Sequence, residues 1–249
     1  MSNSDAFEAL NVGARSNVLV LCDHASNHVP SCVNGGSLGI SEANMNRHIA
    51  YDIGARETSI LIAEALNAPM LASKFSRLVI DPNRGEDDPT ILMKIYDHTI
   101  IEGNRHAEAA EKQRRIEAFH RPYHAAIDDA LAQVTARGET PIMISIHSYT
   151  PQLNGRPMRP WHIGVLWDED ARMPVPLMEK LSANREITVG NNEPYSGELR
   201  GDTMYFHATK NGYPHVLIEL RHDLIDTPEG QAKWAAILAK PLAEIIKTL

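Results

Sequence analysis

The sequence predicts a single α/β domain with a central, mostly parallel mixed sheet and helices on both faces. Two patterns lead there. Short apolar runs of strand composition alternate with amphipathic helical segments, the order expected of parallel strands joined by crossover helices. No internal repeat or low-complexity linker divides the 249 residues, so they read as one domain, with 1–16 as a loosely ordered N-terminal segment. Composition agrees, because 43% hydrophobic and 22% charged residues suit a globular chain large enough to bury a full core.

Taken in order, 17–22 (NVLVLC) is a buried strand. Ser41 is a candidate N-cap for a helix whose apolar side, Met45, Ile49, Ile53, Ile60 and Leu61, runs to about Leu66. Residues 69–72 and 78–81 are short strands, and 103–136 is charged and helical with an interruption near Pro122. Then 141–146 (PIMISI) is a buried strand that ends in His147-Ser148, and 162–167 is another. A helix from about Val175 and one over 203–210 follow, the second stopped by Asn211-Gly212. A late strand over 215–220 (HVLIEL) and an amphipathic helix from Pro228 onward complete the chain.

Charge narrows the partners. A net charge of -8 without a basic tract argues against nucleic acid and anionic membranes. The first residues lack the apolar core of a signal peptide, and no apolar run reaches the roughly 20 residues of a bilayer span. Cys22 and Cys32 read as reduced thiols. The expectation is a cytoplasmic protein with a small-molecule partner.

In open α/β sheets, ligands bind beyond the carboxyl ends of the strands. Four predicted strands deliver reactive groups there. VLVLC leads to Asp23-His24, PIMISI to His147-Ser148, and LVI to Asp81-Pro82-Asn83-Arg84, while VLIEL carries Glu219. A lone strand-end histidine is more often a hydrogen-bonding group than a ligand; the coincidence of four is what counts. Two histidines and a carboxylate make a catalytic zinc site with one open position. Asp52 and His28 compete for the third place. Glu219 stands in an apolar strand, where an unpartnered charge is costly. His120 and His124 in FHRPYH also have zinc-compatible spacing, but Arg121 stands where a metalloprotease needs Glu and Pro122 disturbs the turn, so they read as structural.

The motifs LCDHASNHVP, HIAYDIGA, SRLVIDPNRG, SIHSYTP, RPWHIGVLWDEDAR, VGNNEPYSG and IELRHDLI, in that order, resemble the N-formylglutamate amidohydrolase family over about residues 17–240. The first motif departs from the family's histidine-degradation enzymes, which have Pro-His-Ser-Gly where this chain has Asp23-His24-Ala25-Ser26. More distantly, His24, Arg77, Asn83-Arg84, His147 and Glu219 follow the order of parts in zinc carboxypeptidases and aspartoacylase. Asn27, a poor zinc ligand, stands where those relatives carry a glutamate ligand, so the ligand is expected from elsewhere, with Asp52 the first choice.

The resemblance implies a phosphorylase/hydrolase-like, zinc-exopeptidase-like fold and one zinc ion (Zn2+) per chain on His24, Asp52 and His147. It implies Glu219 as general base and acid, and Arg77 facing the oxyanion. Asn83 and Arg84 would grip a substrate carboxylate. Tyr195, in a mobile loop over 191–197, would donate a hydrogen bond. Arg200, or Arg156 and Arg159, would meet a second carboxylate. The implied activity is hydrolysis of the linear amide of a small N-formyl or N-acyl amino acid, N-formylglutamate first among them. A carboxypeptidase-like peptide hydrolase and a non-catalytic metal- or ligand-binding protein are the alternatives.

Overall fold

Seven strands hydrogen-bond into one mixed sheet in the computed structural model, which describes residues 5–249. The strands are β1 (Phe7–Leu10), β2 (Val18–Cys22), β3 (Met70–Ser73), β6 (Ile142–Tyr149), β7 (Ile163–Leu166), β8 (Val189–Asn191) and β9 (His215–Arg221). A separate hairpin pairs β4 (Ile95–Tyr96) with β5 (Thr99–Ile100). Sheet order is β1-β3-β2-β6-β9-β7-β8. The four central strands β3, β2, β6 and β9 run parallel, whereas β7 opposes β9 and β1 opposes β3.

Phe7–Leu10 lies inside the segment expected to be loosely ordered, and it closes one sheet edge against β3. Residues 1–4 of that segment lie outside the described residues.

Strand alternation feeds two cores. In β2, Leu19 and Leu21 face one side, where Phe119, Tyr123, Ile127 and Leu131 pack. Val18, Val20 and Cys22 face the other, with Ile62, Leu177, Leu238 and Leu242. The helices behind these contacts are α5 (Arg121–Thr135) on the first face and α2 (Ala55–Ala65), α6 (Pro174–Ser182) and α8 (Pro228–Ile246) on the second. The remaining helices are α1 (Glu42–Met45), α3 (Glu102–Arg105), α4 (Ala109–Arg115) and α7 (Thr203–His207), with a π turn over Ile116–His120 joining α4 to α5. Among the described residues no helix is long and apolar enough to cross a membrane.

Three expected elements come out differently. The helix expected from Ser41 to Leu66 breaks between α1 and α2, although Ser41 does cap α1 by accepting from Asn44 N at 3.2 Å. Gly54 turns the chain with φ 74° so tightly that a Cβ there would lie 1.9 Å from Ile225 O. The irregular stretch before it ties Asp52 N to His24 O at 3.0 Å.

The strand expected over 78–81 does not form. Leu78, Val79 and Ile80 are fully buried in a turn closed by Val79 N on Ser76 O at 2.8 Å, and side chains rather than a ladder take the carbonyls of Leu78 and Val79. Asn104 donates to Leu78 O at 2.7 Å and the buried Arg115 to Val79 O at 3.0 Å. Conversely, β6 runs past its expected end at Ile146, so His147 and Ser148 sit within the strand.

Candidate active site

β2 connects outward to β3, and the chain after β6 continues on the opposite side, to β9 and β7. Two neighbouring strands with diverging connections leave a crevice at their carboxyl ends. His24 follows β2 there, and His147 lies near the end of β6. In register with His147 on β9 is Glu219. Asp52 reaches the same point from the irregular stretch before α2. One ligand atom from each of His24, Asp52 and His147 lies within 4.8 Å of the others, and all three residues are buried.

The proton inventory explains what this group accommodates. His24 Nε2 lies 2.7 Å from Asp81 Oδ1, and His147 Nε2 lies 3.0 Å from Asp23 Oδ2. Ionised carboxylates only accept, so both Nε2 atoms carry hydrogens. The Nδ1 atoms are left facing Asp52 Oδ2 at 3.2 Å for His24 and 2.8 Å for His147. Three electron-rich atoms converge, and only a cation or a proton reconciles them. The donor set of two imidazoles and a carboxylate therefore fits a metal ion, with each histidine oriented by a carboxylate behind it.

Charges follow from burial and neighbours. Burial opposes ionisation of Asp23, but the His147 ring and the Tyr123 hydroxyl hold its pKa down at about 2. Asp52, equally buried, is held below the usual carboxylate range by His24 and His147. Burial also works against a charge on His147, yet Asp23 and Asp52 raise its pKa well above the imidazole value. Glu219 behaves oppositely. Burial lifts its pKa to about 7, with His147 opposing and Asp52 reinforcing the rise. Its Oε2 has no hydrogen-bond partner among the described residues.

The expected substrate-side residues divide. Arg77, Asn83, Arg84 and Tyr195 line the same cavity as the four residues above, which holds about 650 Å³ including its open mouth. Arg77 spends Nε and Nη2 on Asp81 Oδ2, at 3.1 and 2.7 Å, and keeps Nη1 3.7 Å from Asp52 Oδ1. Asn83 Oδ1 accepts from Thr203 N at 2.9 Å. Tyr195 accepts from Arg159 Nη1 at 3.1 Å, and that guanidinium lies over the Tyr195 ring. The 191–197 loop is cross-tied by Asn192 Oδ1, which accepts from Trp167 N and Gly197 N.

Arg200 is not brought in. It sits exposed on the turn between Leu199 and Asp202, which do line the cavity, because the chain turns outward there before α7. His28 is exposed and outside the lining too, which leaves Asp52 as the third donor. Asn27 has a structural part, donating to Met45 O and Asn46 Oδ1.

Four contributors escape sequence reasoning. Asp23 and Asp81 orient the histidines, and Tyr96 and Asp202 line the cavity. The only sequence hint was that Asp23 adjoins His24 and Asp81 opens the DPNR stretch.

Comparison with known proteins matches this geometry to a family. The sequence profile described as N-formylglutamate amidohydrolase matches residues 16–226. An N-formylglutamate deformylase of Pseudomonas aeruginosa is 25% identical over 202 residues, covering 75% of each chain. A solved gene product of Agrobacterium tumefaciens superposes with a TM-score of 0.91 at 32% identity, over 98% of this chain and 95% of its own. The solved N-formylglutamate amidohydrolase of Ralstonia eutropha shares the fold, with a TM-score of 0.72 at 20% identity over 98% of both chains.

Proposed function

The chain belongs to the N-formylglutamate amidohydrolase family, and from that premise we propose that it uses zinc to hydrolyse the linear amide of a small N-formyl or N-acyl amino acid. N-formylglutamate, which would give formate and glutamate, is the first substrate to try. The observation that carries the reading is the convergence of His24, Asp52 and His147 beside a buried carboxyl, Glu219, whose Oε2 is free.

His24, Asp52 and His147 would hold the zinc, which would supply Lewis acidity and lower the pKa of a water to about 7. Glu219, buried beside these three residues with Oε2 unspent among the described residues, would take the proton of the attacking water and pass one to the leaving amine. Arg77 has one corner, Nη1, not spent on Asp81, and that corner serves the developing oxyanion. A donor in that role contributes about 3–4 kcal/mol to the transition state. Arg84 binds the substrate carboxylate with its planar fork, beside Asn83. Because the Tyr195 hydroxyl accepts from Arg159, its own hydrogen is free to donate to the substrate.

The test is formate and acetate release from a panel of N-formyl and N-acetyl amino acids, with chelator, with added zinc, and with Glu219→Gln. Zinc-restored release that the variant lacks is the expected result. No release from any member of the panel by fully loaded protein would overturn the reading.

A further inference from the structure

The FHRPYH segment takes no part in the site described above, yet both its histidines point at the loop that carries Arg84. We propose that His120 and His124 are positioning residues that hold the backbone of Pro82–Arg84, and thereby the carboxylate-binding side chains Asn83 and Arg84. The inference rests on the reading of Arg84 as the carboxylate contact.

The loop needs such support. Residues 82–84 lie in no strand or helix, so no ladder takes their carbonyls. Each carbonyl is met by a side chain instead. His124 Nε2 lies 2.9 Å and Thr203 Oγ1 3.3 Å from Pro82 O, Arg84 Nη1 lies 2.7 Å from Asn83 O, and His120 Nε2 lies 2.8 Å from Arg84 O. Two of these four contacts come from one helical surface. The four-residue spacing that suggested a metal pair puts both rings on one face, and here that face meets a backbone. Pro122 has no N–H for the helix ladder, and the wide π turn ending at His120 accommodates it.

Tautomers are fixed by the partners. A carbonyl only accepts, so both Nε2 atoms must carry the hydrogen. With His124 Nε2 donating to Pro82 O, its Nδ1 accepts, and the hydrogen between the two rings sits on His207 Nε2, 2.7 Å away. A neutral His207 that donates from Nε2 has no hydrogen for the exposed Asp128 carboxylate, 2.9 Å from its Nδ1, so that contact gives way to water. The His120 and His124 rings are tilted against each other with centroids 4.2 Å apart, and those of His124 and His207 stack at 5.0 Å. Burial lowers the pKa of all three histidines, that of His124 to about 3, which keeps the His120 and His124 rings neutral as this donor pattern requires. Among the described residues His120 Nδ1 is buried without a partner, so Arg84 O takes the one hydrogen bond of that ring there.

The test uses zinc-loaded protein and whichever N-acyl amino acid the wild type hydrolyses. His124→Phe and His120→Leu remove the donors, and His124→Gln and His120→Gln return an N–H. The expected result is a rise in KM of roughly 10-fold with kcat nearly unchanged, partly reversed by glutamine. In an Arg84→Ala background the same changes should add little, and on a formamide that lacks a carboxylate they should have no effect. Equal losses in the Arg84→Ala background, on the carboxylate-free formamide, or in kcat alone would overturn the proposal while leaving the functional reading intact. If one position does not fold when changed, the other carries the same test. A wild type that turns over no N-acyl amino acid would fell the functional reading, and this inference with it.

Discussion

Asp81 Oδ1 lies 2.7 Å from His24 Nε2, on the ring nitrogen opposite the one that faces Asp52. Asp23 stands in the same relation to His147. Each carboxylate fixes the tautomer that leaves Nδ1 free to bind a cation, and makes that nitrogen more basic.

Asp81→Asn and Asp23→Asn should therefore each weaken metal binding by about 10- to 100-fold. Competition with a chromophoric chelator measures this without reference to turnover. Unchanged affinity in both variants would show that the carboxylates behind the rings do not orient ligands. Asp23 also accepts from Ser145, Tyr123 and Thr203, so its variant should lose stability as well.

Glu219 titrates near 7 in the folded chain because it is buried, against an ordinary carboxylate value near 4.5. In the metal-free protein its contribution is fully present below about pH 4.5 and is lost as pH rises through 7. Glu219→Gln removes that loss and should stabilise the metal-free fold at pH 8 relative to pH 4 by up to about 3 kcal/mol. Denaturant melts at the two pH values decide the matter; an identical pH dependence in wild type and variant would mean Glu219 is not held protonated.

Arg84 is assigned to binding rather than chemistry. Arg84→Ala should raise KM by roughly 100-fold with a smaller fall in kcat, and Arg84→Lys should recover only part, because a point charge does not reproduce the planar fork. Steady-state kinetics on the best substrate separates the two constants. A loss confined to kcat would place Arg84 nearer the reacting atoms.

Gly54 makes Asp52 possible. A Cβ at this position would meet Ile225 O at 1.9 Å, and the backbone is already at φ 74°. Gly54→Ala should cost at least about 2 kcal/mol of stability and weaken metal binding, since the adjoining stretch that presents Asp52 must shift. A melt within about 0.5 kcal/mol of wild type would show that the turn relaxes freely.

The sequence by itself determined the α/β class, the buried strands β2, β6, β7 and β9, and the final helix. Their signals are local, in apolar runs and helical periodicity within one segment. It also marked His24, His147 and Glu219 as candidates for chemistry, since they sit in or just after those strands. The tertiary structure alone decided how they are tuned. Asp81 is 57 residues from His24 and Asp23 is 124 residues from His147, and no local pattern encodes contacts over such separations. The break at Gly54 depends on close approach of Ile225, and the coil at Leu78–Ile80 depends on Asn104 and Arg115 satisfying its carbonyls. In both places a distant partner overrides a local preference, and only the assembled fold brings that partner near.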